Sequence, residues 1–290
     1  MHIVFLFQCQ GQIIPTPKKI QANLNEAFQA AMCYVILSRI MSISQLFLQT
    51  FDENKIYCNE SAKKEAESIK ERAINRKITK WDLNETQTLK ISTLNIRSLK
   101  KHFIDLREDD FLQKSDIICV NETWLVSDPD ENLNGFHGHF INLKSQGTAV
   151  YCKTEANEVQ KISSENASII VASYPTFDLI SVYRYSSSSD LEAFTKEVLE
   201  HLNLNKSVLV LGDMNIDLSK QPLNLFTKAL TKIGFQQLVQ SPTHILGGIL
   251  DHVYVYCVDS TKFTLYKTHP LYYSDHDAVA ILVHIGDTVR

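Results

Sequence analysis

An α/β fold of packed sheets with helices outside them is predicted by three features of this 290-residue sequence. From Leu89 onward, short β-rich runs follow one another. Some pass directly into the next run, as in antiparallel sheets, while others are separated by helix-length amphipathic stretches. The composition, 44% hydrophobic and 21% charged, is that of a chain able to bury a core.

Element by element, the expectation is as follows. His2 to Phe7 reads as a buried strand with no lead-in, as though the chain began inside a larger domain. A helix is expected from about Asn25, carrying Phe28, Ala31, Met32, Val35 and Leu37. A second follows where Ala62, Ala66, Ile69 and Ala73 form an apolar stripe, with Lys63 and Glu67 at i, i+4 on the wet face. These elements make residues 1–82 a small, mostly helical appendage, and 83–88 reads as a polar linker. Then come the strand LKISTLNI, a helix marked by Leu99, Phe103 and Leu106, and the short buried strand DIICV. GTAVYC, SIIVAS and FDLISVY are β-rich runs, followed by a helix over Asp190 to Leu202 and the apolar strand SVLVLG. A helix near Leu223 to Ile233 precedes ILDHVYVYCV and the closing strand DAVAILVHI.

Charge limits the options. The chain carries 29 basic and 33 acidic residues, net −4. Eleven basic and nine acidic residues precede position 88, leaving eighteen and twenty-four after it. A nucleic-acid partner of the larger part must therefore be held by local groups or a bound cation, not by bulk charge. Cysteines at 9, 33, 58, 119, 152 and 257 have neither metal-knuckle spacing nor the density of a disulfide framework, so reduced thiols in an intracellular setting are expected. The apolar stretch Ala27–Leu37 is about half the length that crosses a bilayer, and no secretory leader is evident, so a soluble protein without a membrane partner is expected.

Chemically able residues stand where the apolar strands end. These are Asn95 after LKISTL, Glu122 after DIICV, Tyr183-Arg184 after FDLISV, and Asp213 and Asn215 after SVLVLG. Asp251 opens one late strand, and Asp275-His276 precedes the last. Taken singly, each is an ordinary loop or core residue. As an ordered set at strand ends of a layered fold they mark a site. If the chain stays extended from Asp213 to Asn215, both side chains point one way, and Gly212 leaves room for a substrate backbone.

The segments TLNIRSL (93–99), NETWL (121–125), VYR (182–184), LGDMNID (211–217), SPTHILGGILDHVYV (241–255) and YSDHDAV (273–279) resemble the endonuclease/exonuclease/phosphatase superfamily, most specifically its retroelement branch. The likeness implies a four-layered α/β sandwich over residues 89–287, two sheets face to face with helices outside. It implies a Mg²⁺-dependent DNA endonuclease that nicks phosphodiesters, with Mn²⁺ as an alternative ion. It also implies roles. Glu122 would be the main metal carboxylate, supported by Asn95 and Asp275. Asp213 would orient or deprotonate the attacking water, and Asn215 would hold the scissile phosphate. His276 would stabilise its charge, with Asp251 accepting the other ring hydrogen. Tyr183 would touch phosphate or nucleophile, and Arg184, Thr243 and His244 would contact substrate. Arg97 stands where abasic-site endonucleases carry an acidic residue, which argues against that specificity, and the YSSSS run after Arg184 lacks the prolines of many retroelement relatives. A phosphatase of the same fold with a non-nucleic substrate, and a catalytically silent element product, are the competing expectations.

QCQGQIIP (8–15), EAFQAAMCYVILSRI (26–40) and KIYCNESAKKEAESIKERAINR (55–76) are similar to the C-terminal end of a PIF-type helicase of Helitron transposons, in which Arg39 would contact nucleotide phosphates. No GxxxxGK[ST] loop is present to cradle them, so this part is expected to be a remnant that uses no ATP. The pairing implies mobile-element ancestry, a DNA partner and a nuclear location.

Overall fold

The computed structural model describes residues 20–23, 46–50, 88–129, 132–258 and 261–284. The chain divides into two compact units, 1–78 and 79–290. In the first, two strands absent from the sequence expectation, β1 (Ile20–Asn23) and β2 (Leu46–Thr50), pair in parallel. The strand expected at 2–7, both expected helices and Arg39 lie outside the described residues.

The second unit holds two six-stranded sheets. In one, β3 (Thr88–Asn95) lies parallel to β4 (Ile117–Asn121), flanked by β6 (Thr148–Cys152), β5 (His137–Ile141), β14 (Ala278–His284) and β13 (Lys262–His269) in the order β13-β14-β3-β4-β6-β5. In the other, β9 (Phe177–Arg184) lies parallel to β10 (Ser207–Asp213) in the order β11-β12-β10-β9-β8-β7, with β7 Glu158–Ser163, β8 Ala167–Ser173, β11 Gln236–Gln237 and β12 Asp251–Tyr256. Facing side chains such as Ile91, Cys119 and Val150 from one sheet and Leu179, Leu209 and Val253 from the other form a buried layer between them. Strands buried on both faces explain the continuous apolar runs IICVN and SVLVLGD.

Helices cover the outer faces. Leu106 of α1 (Leu99–Glu108) and Phe111 and Leu112 of α2 (Asp110–Gln113) pack on Leu94, Ile118 and Tyr151. Phe194 of α3 (Leu191–Leu199) and Phe226 of α4 (Leu225–Lys232) pack on Val182, Val210 and Tyr254. The result is the expected four-layered α/β sandwich. Ser98, Asp109, Asp190 and Asn224 cap the four helices by accepting first-turn backbone N–H groups, which sets where each begins. Among the described residues no helix is long and apolar enough to cross a membrane, and Cys119, Cys152 and Cys257 are unbridged.

The sheets meet at one end. There β3, β4, β9 and β10 finish, while antiparallel β12 begins and β14 follows the loop that carries His276.

Candidate active site

Backbone geometry at that end is unusual. Five non-glycine residues there have left-handed φ: Arg97 (47°), Ser98 (95°), Glu122 (53°), Trp124 (53°) and Asn215 (48°). Each such conformation costs on the order of 1–3 kcal/mol and persists where neighbours hold it. Here the holders are visible. Ser98 N donates to Glu122 O, Arg97 N to Asn95 Oδ1, and Asn215 N to Asp213 Oδ1. The turn at Asn215 means that the chain does not stay extended after Asp213.

Asp213 sits in register between Tyr183 of β9 and Asp251 of β12. Its backbone N donates to Asn121 Oδ1 at 2.9 Å, and Asn121 Nδ2 donates to Thr148 Oγ1. This buried amide stitches the two sheets together beneath the site. In the sequence Asn121 figured only within the NETWL segment, and its one local signal is an amide closing a wholly apolar run. Gly212 is required for a different reason from the one expected. With φ 132°, an added Cβ would lie 1.9 Å from Val182 O of the neighbouring strand, so glycine serves strand packing, not substrate approach.

Asn95 links two carboxylates. Its Nδ2 donates to Glu122 Oε1 and to Asp213 Oδ2, both at 2.9 Å, while its Oδ1 accepts from Arg97 N. The oxygen expected to face a metal accepts one backbone hydrogen bond, and the amide nitrogen positions both carboxylates. Tyr183 Oη donates to the same Glu122 oxygen at 3.0 Å. Burial, reinforced by the charges of Glu122 and Asp213, drives the phenol's pKa upward and keeps it a donor.

His276 Nδ1 donates to Asp251 Oδ2 at 2.8 Å. Burial alone would lower the imidazole's pKa, but the charge and hydrogen bond of Asp251, with Asp213 and Asp275 behind it, raise it to about 9. Asp213 is pushed above the usual carboxylate range by burial and by the charge of Asp251. Asp275 Oδ2 pairs with Arg97 Nη1 at 2.5 Å and with His244 Nε2 at 3.5 Å. The His244 ring stands edge-on to His276, 4.8 Å between centroids.

Three residues expected to meet substrate make their contacts within the fold. Arg184 follows Tyr183 on a strand and therefore points to the opposite face. Its guanidinium donates to the carbonyls of Asn215 and Ser188 and lies over Phe194, so it braces the Asn215 turn. Thr243 is fully buried, and its Oγ1 accepts from Leu250 N and Asp251 N, which anchors the start of β12. Asn215 Nδ2 is spent on Arg184 O at 2.6 Å.

Four carboxylates, from Glu122, Asp213, Asp251 and Asp275, converge here against the cationic His276 and Arg97. A divalent cation would balance that charge. Asp275 Oδ1 and Asp251 Oδ1 are buried without a hydrogen-bond partner among the described residues, the state of oxygens suited to a cation. Among the described residues two groups bring their ligand atoms within 4.8 Å of one another, His244/Asp275/His276 and Asp213/Asp251/His276. Glu122 belongs to neither group and reaches Asp213 through Asn95.

A model of the Endonuclease/Exonuclease/phosphatase family matches residues 92–276. No curated protein sequence matches the chain. Among solved structures, a 3'-5' exonuclease from Neisseria meningitidis is similar at 17% identity and TM-score 0.54, over 67% of this chain and 98% of its own. An AP endonuclease from Archaeoglobus fulgidus is similar at 18% and 0.52, over 69% and 100%. A Neisseria 3' phosphatase bound to a product DNA hairpin is similar at 18% and 0.50, over 67% and 98%. At these identities the likeness is one of fold.

Proposed function

The chain belongs to the Endonuclease/Exonuclease/phosphatase family, and from that premise we propose that it is a divalent-metal-dependent endonuclease that nicks DNA. The family is generally hydrolytic and typically metal-dependent. The observation that carries the reading is the buried Asp251–His276 pair, joined at 2.8 Å, with ligand atoms of both within 4.8 Å of one on Asp213. DNA is favoured by the retroelement-type motifs and by relatives of the same fold named for acting on nucleic acids or holding a DNA hairpin.

Glu122 and Asp275 would hold Mg²⁺ or Mn²⁺, hard cations that accept one or two carboxylates and keep several waters. An ion held there would supply Lewis-acid stabilisation of negative charge on a phosphodiester. Asp213, with its pKa raised, is matched to accept a proton from water near neutral pH. His276, cationic and oriented by Asp251, offers its Nε2 hydrogen to a phosphate oxygen. Tyr183 donates into the Glu122 carboxylate and fixes its orientation. His244 packs on His276 and contacts Asp275, steadying both.

The helicase-like leader supports descent from a mobile element of the Helitron kind, and with it action in the nucleus. Supercoiled plasmid tests the reading. Nicked circles should accumulate with Mg²⁺ or Mn²⁺ and disappear with excess EDTA. Absence of nicking with both ions, or nicking indifferent to EDTA, overturns it.

A further inference from the structure

Arg97 stands at the junction of Asn95, Glu122 and Asp275. Its backbone N donates to Asn95 Oδ1, the next residue's N donates to Glu122 O, and its guanidinium pairs with Asp275 Oδ2 at 2.5 Å. Consecutive left-handed residues at 97 and 98 hold the backbone in this position. The side chain is half exposed, so it can swing away while the backbone stays pinned.

Resting on the reading above, we propose that Arg97 is a latch on Asp275 that makes metal binding depend on bound DNA. A guanidinium cannot shed its proton, so it leaves the carboxylate only by moving. While it is in place it neutralises Asp275 and sets a positive charge against an incoming cation. A backbone phosphate offers the guanidinium an equivalent anionic partner whose two free oxygens can accept its N–H fork side by side. DNA therefore draws Arg97 from Asp275 and exposes that charge to the metal. By linkage, DNA tightens metal binding by the same factor as metal tightens DNA binding. The free protein is thus spared a tightly held ion, and the site assembles on its substrate.

The test measures Mn²⁺ binding by the loss of the free-ion electron paramagnetic resonance signal, with and without a fully phosphorothioate duplex that is cut slowly. The full chain is used, as wild type, Arg97→Gln and Arg97→Lys. Coupling between sites usually amounts to about 5–150-fold, so wild type should bind Mn²⁺ at least about fivefold tighter with DNA. Arg97→Gln should show the tight affinity without DNA and gain little from it. Arg97→Lys keeps the charge and should remain weak without DNA. Equal Mn²⁺ affinity of wild type and Arg97→Gln without DNA overturns the latch, even if plasmid nicking is normal. Absence of both Mn²⁺ binding and nicking in wild type overturns the endonuclease reading with it. Unchanged melting of the two variants rules out misfolding as the source of any difference.

Discussion

His276 donates its Nδ1 hydrogen to Asp251 across 2.8 Å, with both side chains buried and Asp213 in register beside Asp251. The pair makes the imidazolium persist where an ordinary histidine would be neutral. Asp251→Asn keeps the shape but removes the charge. Cleavage should fall by about 10²–10⁴-fold, the share of a normal acid–base group. His276 is protonated below about 9, so losing its partner should shift the alkaline limb of the pH–rate profile to lower pH. The same pKa governs stability. A histidine whose folded pKa lies above its unfolded value of about 6.5 stabilises fully below that value and loses the contribution as pH rises through about 9. The melting advantage of wild type over His276→Gln should shrink across that window. An alkaline limb identical in Asp251→Asn and wild type would refute the coupling.

Glu122→Gln separates charge from shape. A glutamine oxygen can still accept from Asn95 Nδ2 and Tyr183 Oη, which meet on one carboxylate oxygen. Thermal melting should stay within a few degrees of wild type, while Mn²⁺ affinity and metal-dependent nicking are lost. A variant that nicks at the wild-type rate would remove Glu122 from the metal site.

The fold was largely legible because its central strands are buried on both faces and spell continuous apolar runs. In the second unit the strands that escaped notice, β5, β7, β13 and the two-residue β11, are all sheet edges. Their sequences, HGHFI, EVQKIS, KFTLYKTH and QQ, carry too many polar residues to announce a strand, since an edge needs only one covered face. In the site, strand ends told where chemistry gathers but not which way each side chain faces. Period-two geometry alone separates Tyr183 from Arg184, whereas the inward turn of Asn95 Nδ2 toward two carboxylates depends on strands distant in sequence. Asn121 belongs to the same class. Its bond to Asp213 N exists only because two sheets meet, and a tertiary contact 92 residues apart leaves no local pattern.

Gly212→Ala should be among the most damaging substitutions of a small residue. A methyl group would sit 1.9 Å from Val182 O at φ 132°, and neither backbone can yield without breaking the β9–β10 ladder. A loss of at least about 2–4 kcal/mol is expected, read from urea unfolding. A shift of the unfolding midpoint too small to measure would show that the strand bends away without cost.

Arg184→Ala tests whether this residue acts on DNA or on the fold. If it contacted a phosphate, its loss would weaken DNA binding and reduce the slope of log affinity against log salt by about one. The guanidinium instead bonds to the carbonyls of Asn215 and Ser188 and covers Phe194. Removing it leaves two carbonyls short of a donor and opens a void beside an aromatic ring, a cost of about 1–3 kcal/mol. It also frees the left-handed turn at Asn215, whose backbone N is bonded to Asp213 Oδ1. Asp213 then loses a fixed acceptor geometry, so kcat should fall while KM and the salt slope stay near wild type. Duplex binding titrated between low and moderate salt, with no divalent ion present, reads the slope directly. A slope reduced by one unit at unchanged stability would return Arg184 to the DNA surface.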